Sequence, residues 1–440
     1  MVKLVEDRLK EIDDQFKKGL LSKKEILVLL NDEKPVVRKF ALSIIKELSD
    51  INDLDVLIEK LEDQTCIFEI LEIIYEIINE SEADIEARQK DRIRSVLKIG
   101  VSDQNIDEYT RACMIKILSS FNDSQDLNLF RELAKNSSPK LRLNSIKALG
   151  NLGDTKTILK SLNDKDAIRL ECLNHLIMIE HQGSKNIVER EFLRGSLSLK
   201  REIMKIIGYH TWSSGIDLLK DAIHHKDLQE LAANTLGQMN SNKGALEILL
   251  NENENTLTII DNSDINDRNI SPIYISHLIN AITRFDDLRI IPILERYLKT
   301  EYSPFFREIL ERLSRFNSGF NPELPSVLLD LVKEDASVWS DFFEEMIDYI
   351  FAIVGKVKNE NYLGDLVSLC KYYGSDETVS LISKKTKIQQ HIIRTIAKYP
   401  KKVALATLSN IDRISLYRNA ERELNETLDK LKRITLTDFL

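Results

Sequence analysis

The sequence predicts an all-α chain of stacked antiparallel helix pairs, and three observations carry that prediction. Glycine and proline are scarce, 14 and 8 among 440 residues, so helices meet few interruptions. Apolar residues recur at three- and four-residue steps along most of the chain, which places them on one helical face. A unit of polar turn, helix start and amphipathic helix recurs, most clearly at residues 31–50 and 136–154.

In the first of these units Asn31, Asp32, Glu33 and Lys34 form a turn and Pro35 opens a helix. Proline's missing N–H costs nothing there, because first-turn donors have no partner within the helix. Val37, Ala41, Ile44, Ile45 and Leu48 form the apolar stripe, Arg38 follows the proline by three residues, and Asp50 closes the unit. Pro139 restarts the register with Arg142, Ser145, Leu152 and Asp154, and Pro304 restarts it with Arg307 and Leu310. Weaker copies run from Arg111, Arg169 and Lys200, and residues 228–239 keep the small residues Ala232 and Ala233 without the basic one. The basic positions step by roughly thirty residues, one helix pair per repeat. The companion helices are expected at 53–61, 127–134, 155–162, 184–193, 214–223 and 290–298, each just before a turn and a motif helix.

Two stretches depart from the pattern. Residues 62–82 form a long acidic helix with Ile67, Ile70, Leu71, Ile74 and Ile78 as its stripe and no basic residue at the repeat position. Residues 251–272 are rich in Asn and Asp, longer than a turn between stacked helices needs, and are expected to be an inserted polar loop. That loop would divide an N-terminal array, 1–250, from a divergent C-terminal one, 273–440. In the latter the repeat blurs past Pro325, a basic segment spans 384–402, and an amphipathic helix at 416–431 is expected to cap the array.

Composition narrows the function. The net charge is −9, whereas proteins that live on duplex DNA or anionic membrane are more often basic. Cys66, Cys113, Cys172 and Cys370 lie far apart and form no pair motif, so they are expected as buried thiols in a reducing compartment. The first fifteen residues are charged and amphipathic rather than a signal peptide, and no apolar run is long enough to span a bilayer. A cytoplasmic protein without membrane contact is the expectation.

The Asp/Asn turn, the proline or polar start, the pairs Val37-Arg38, Leu141-Arg142, Ile168-Arg169 and Phe306-Arg307, the small residue three further on and the closing Asp resemble the HEAT family of helical repeats. The spacing is similar to the short repeats of its bacterial and archaeal members. The resemblance covers about 25–240 and 290–315. It implies a right-handed α-solenoid of about ten to twelve pairs, with motif helices on the concave side. It also implies that the repeated arginine bonds turn aspartates of a neighbouring repeat, with Asp32, Asp103 and Asp164 as candidate partners, rather than forming an anion-binding row.

No sequence signal for catalysis, metal or a cofactor rises above this background. His175 falls on the inward register, a core position, and there is no HExxH. Residues 261–267 resemble a calcium loop in composition only: neither frame has glycine at its sixth position. Gly150 and Gly153 mark a helix end, not a phosphate loop. The expected function is therefore a non-enzymatic scaffold that binds a protein partner along the concave face, through Lys39, Ser43, Lys46, Asn144 and Lys147. The alternative is nucleic-acid binding through Lys384, Lys385, Lys387, Lys401 and Lys402, with Tyr399 and His391 among the charges. HEAT-like glycosylases for alkylated bases need an aromatic and an acid in a basic cleft, and Trp212 and Trp339 lie far apart with no such motif.

Overall fold

A computed structural model of the chain describes residues 2–63, 65–81, 85–262, 271–300, 306–333, 343–373 and 382–437. The described residues form 25 α-helices, several short 3-10 turns and no strand. They fall into two compact units, Met1–Ile206 and Ile207–Leu440.

In the first unit α1 (Val2–Lys17) precedes a series of helix pairs. These are α2 (Lys23–Val28) with α3 (Pro35–Leu48), α4 (Leu54–Glu59) with α5 (Ile67–Ser81), and α6 (Ala87–Ser102) with α7 (Glu108–Ser120). Next come α8 (Leu127–Leu133) with α9 (Pro139–Asn151), α10 (Thr155–Ser161) with α11 (Asp166–Met178), and α12 (Ser184–Arg194) with α13 (Leu197–Tyr209), which ends past the division. The second unit continues with α14 (Ile216–Ala222) and α15 (Gln229–Gln238), α16 (Lys243–Asn262) and α17 (Pro272–Ile282), and α18 (Ile290–Leu298) and α19 (Phe306–Arg315). It ends with α20 (Leu324–Lys333) and α21 (Phe343–Val357), α22 (Leu363–Tyr372) and α23 (Ile382–Ile396), and α24 (Lys401–Ser409) and α25 (Arg418–Thr437).

Within each unit the second helices of successive pairs pack on one another and are called its inner row, α3–α5–α7–α9–α11 in the first unit and α19–α21–α23–α25 in the second, where α15 also packs on α17. The first helices form a looser row behind them. In α3 the predicted stripe is buried at Val37, Ala41, Ile44 and Ile45, joined by Leu42, while Leu48 at the helix end is half-exposed. In α9, Ser138 caps the start by accepting from the Leu141 N–H, so proline and cap act together.

Turn aspartates do more than close the repeat. Asp50 and Asp53, and two helix pairs later Asp123 and Asp126, have the same spacing, and Asp53 and Asp126 are buried. Each pair meets a cation from the first helix of a pair: Lys23 lies 2.7 and 2.6 Å from Asp50 and Asp53. Arg94 lies 2.5 and 3.1 Å from Asp123 and Asp126, and Arg131 lies 2.8 Å from Asp154.

One expectation needs correction. Asn251–Asn262 is not loop: α16 runs through it, and only 263–270 lie outside the described residues. Its polar residues are satisfied by neighbours. Asn253 donates to the Leu249 carbonyl at 2.7 Å and accepts from Tyr297 at 3.0 Å, and Glu252 accepts from Tyr274 at 2.8 Å. The acidic stretch 62–82 holds the expected helix, α5, a member of the inner row with its whole predicted stripe buried.

Candidate partner-binding surface

The motif arginines are structural. Arg38 donates from Nε and Nη2 to Asp63 at 2.7 and 3.3 Å, and from Nη1 to the Asp32 and Glu33 carbonyls at 2.7 and 3.2 Å. Arg142 repeats the arrangement, gripping Asp164 at 2.7 and 2.8 Å and the Asn136 and Ser137 carbonyls, both at 2.9 Å. Each guanidinium thus closes the turn before its own helix and forks the aspartate of the turn ahead. Asp164 is a predicted partner; Asp63 was not foreseen. Asp32 instead pairs through its carboxylate with Arg8, and Asp103 accepts from Asn105 rather than from a motif arginine. Arg111 reaches only the Val101 carbonyl, and Arg169 reaches the Leu162 and Asp164 carbonyls and Glu191 at 3.6 Å. Pro304 lies outside the described residues.

With the arginines accounted for, the exposed faces of α3, α5, α7, α9 and α11 remain. The lysines expected to face a partner are there, each paired with the next inner helix. Lys39 Nζ lies 2.7 Å from Glu69, Lys46 lies 3.3 and 3.2 Å from Glu72 and Glu76, and Lys147 lies 3.9 Å from Glu171. The carboxylates hold the Lys39 and Lys46 pKa values above the usual lysine range. Between these pairs two cations lie over aromatic rings, Lys116 over Tyr75 at 3.7 Å and Lys140 over Tyr109 at 2.8 Å, and Tyr109 is 68% exposed. Asn144 is half-buried and donates to the Lys140 carbonyl at 2.9 Å, while Ser43 is exposed and bonds the Phe40 carbonyl. Exposed ion pairs contribute at most about 1 kcal/mol, so a partner can exchange them at little cost.

Burial makes the cysteines poor nucleophiles. Cys113, beside this face, is pushed up to about 11, and Cys172 and Cys370 to about 12. All four cysteines are free thiols. His175 is buried between α9 and α11, where Gly150 leaves room for its ring, and its Nε2 faces Glu171 Oε1 at 3.1 Å without hydrogen-bond geometry. Among the described residues no group of three His, Cys, Asp or Glu side chains could hold a metal, and no helix is long and apolar enough to cross a membrane.

The basic segment of the second unit is not one patch. It is split between α23 and α24, and α23 is an inner-row helix packed on α21 and α25. Lys385 is buried, Lys387 and Lys401 are half-buried and each of the three has a partner, while Lys402 is exposed. The Lys384 side chain lies outside the described residues. Arg394 forks Glu423 at 3.0 Å through two N–H groups. The aromatics are no stacking platform: Tyr399 is buried and donates to the Asn359 carbonyl, and His391 stacks on Phe351. Burial pushes the His391 pKa down, although its Nε2 lies 2.7 Å from Asp348. Trp212 is buried, and Trp339 lies outside the described residues.

No family model matches the chain, and no curated protein matches its sequence. Solved structures do match. Kap121p superposes with a TM-score of 0.50 at 12% identity, covering 92% of this chain and 48% of its own. Kap121p bound to Pho4p gives 0.50 at 13% identity, covering 94% and 50%, and Kap121p bound to RanGTP gives 0.50 at 13%, covering 93% and 52%. The fold is an all-α, HEAT-like helical-repeat solenoid. The chain spans about half the length of the structures it matches.

Proposed function

We propose that this chain is a non-enzymatic scaffold that binds a protein partner along the inner row of its first unit. The observation that carries the reading is the character of that face: ion pairs join α3 to α5 and α9 to α11, and between them two lysines lie over aromatic rings, one of them the exposed Tyr109. Aromatic anchors among exchangeable polar groups suit a protein surface better than a polyanion. Kap121p bound to Pho4p and to RanGTP shows protein partners on a solenoid of this fold, which supports the same class of ligand here. Lys39, Lys46, Asn144 and Lys147 are the residues we assign to the contact. The spacing of about thirty residues favours the short-repeat, bacterial or archaeal branch of the HEAT group, and a cytoplasmic location fits its four free thiols.

Affinity capture from cell extract, followed by crosslinking mass spectrometry, tests the reading. Crosslinks should concentrate on Lys39, Lys46, Lys140 and Lys147. The double variant Lys39→Glu/Lys46→Glu should weaken capture about tenfold while the Tm moves by no more than a few degrees. Crosslinks confined to the first-helix row, or capture unaffected by the double variant, would refute it.

A further inference from the structure

The first-helix row of the same unit carries a feature that the inner-row reading does not use. Between α8 and α10 lies an open groove of about 700 Å³. Arg131 and Lys135 reach it from α8 and the turn that follows, Arg142 from α9, and Lys156 and Lys160 from α10. Asp164 is the one carboxylate among these lining residues, and both its oxygens are already taken by Arg142. Arg131 is likewise committed to Asp154. Lys135, Lys156 and Lys160 remain: all three are exposed, and among the described residues none has a carboxylate at ion-pair distance. Lys156 and Lys160 stand four residues apart on one short helix, a like-charge arrangement that works against the helix carrying it. This local excess of cation sits in a chain of net charge −9.

We propose that this groove docks an acidic peptide segment, whose carboxylates bridge Lys135, Lys156 and Lys160. The volume lies within the range of ordinary ligand clefts. Thr157, Ser161 and Asn163 on its wall offer polar groups to a peptide backbone. Among the described residues no aromatic lines the groove, so they offer no surface on which a single-stranded nucleic acid would stack its bases. Lysine ammoniums on flexible stems suit carboxylates spread along a chain, whereas a single phosphate is better held by a free bidentate arginine; Arg142 is spent on Asp164, and Arg131 already gives its Nε to Asp154. Binding would relieve the repulsion between Lys156 and Lys160, so groove occupancy and helix stability are coupled. This site is independent of the inner-row surface.

The test is fluorescence anisotropy with a labelled peptide of about ten residues alternating Glu and Ser, and with an oligo(dA) of equal charge, at about 50 and about 300 mM salt. The intact chain should bind the peptide at low salt, lose it at high salt, and hold the oligonucleotide more weakly. The triple variant Lys135→Gln/Lys156→Gln/Lys160→Gln should bind the peptide about tenfold more weakly. The Lys156→Gln/Lys160→Gln double variant should keep or raise the Tm, which separates lost charge from lost fold. Lys39→Glu/Lys46→Glu should leave peptide affinity unchanged. Failure to bind at low salt, equal binding by the triple variant, or an oligonucleotide bound as tightly as the peptide would each overturn the proposal.

Discussion

Arg142 shows how much one side chain can hold together. Four of its hydrogen bonds reach two turns, and only 16% of the side chain is exposed. Arg142→Ala should therefore cost about 2 kcal/mol, read as a shift of the urea midpoint, because it strands two carbonyls and a carboxylate at once. Arg142→Lys should recover less than half of that, since an ammonium cannot fork Asp164 while closing the turn. Arg38→Ala should likewise lower stability more than partner capture; the reverse result would reopen an anion-binding role for the row. The same contacts set an acid limit. Arg142 holds the Asp164 carboxyl below its usual pKa; burial works the other way at Asp63, where Thr65 and Arg38 prevail and keep it low. A depressed carboxylate contributes stability that is complete above its unfolded pKa of about 3.9 and is lost as pH falls through the folded value. Thermal stability should accordingly hold down to about pH 4 and then drop, and the drop should be shallower in Asp164→Asn.

At the scale of helices the sequence was most readable where local and tertiary preferences agree. Pro35 and Pro139 start helices, their stripes are buried apart from the terminal Leu48 and Leu152, and Arg38 and Arg142 grip turn aspartates. Asp63 could not be foreseen from its neighbours, because the acidic run around it hid a turn of the same repeat. Helix α16 was misread for the opposite reason: Asn253 and Thr256 look like loop residues, yet both are buried and Asn253 meets Tyr297 from a helix more than thirty residues later. Distant partners override local propensity there. The candidate surface was half legible. Lys39 and Lys46 were found from their outward register, but the carboxylates opposite them belong to the next repeat, and the groove between α8 and α10 needs two helices to exist. Contact between inner helices is close enough to test directly. A Cβ on Gly150 would lie 2.2 Å from the buried His175 ring, so Gly150→Ala should cost about 2 kcal/mol by thermal melt, and Gly150→Ala/His175→Ala should recover part of it.

Across the molecule, stability is a sum over neighbours rather than one shared core. Ile117 is fully buried in α7, between α5 and α9. Ile117→Ala should create a cavity costing about 3 kcal/mol. Hydrogen exchange should quicken first in α5, α7 and α9, while α21, α23 and α25 keep their protection. Uniform loss of protection along the chain would show that the array melts as one body. The arginine latch adds a direction to this picture. Arg38 and Arg142 each face their own turn on one side and the following turn on the other, so these two repeats grip their successors. Arg169 finds no aspartate in the turn ahead and settles on Glu191, close to where the first compact unit ends. A latch made within one repeat and its successor is a joint that can be repeated by copying the unit, which is how an array of this kind lengthens.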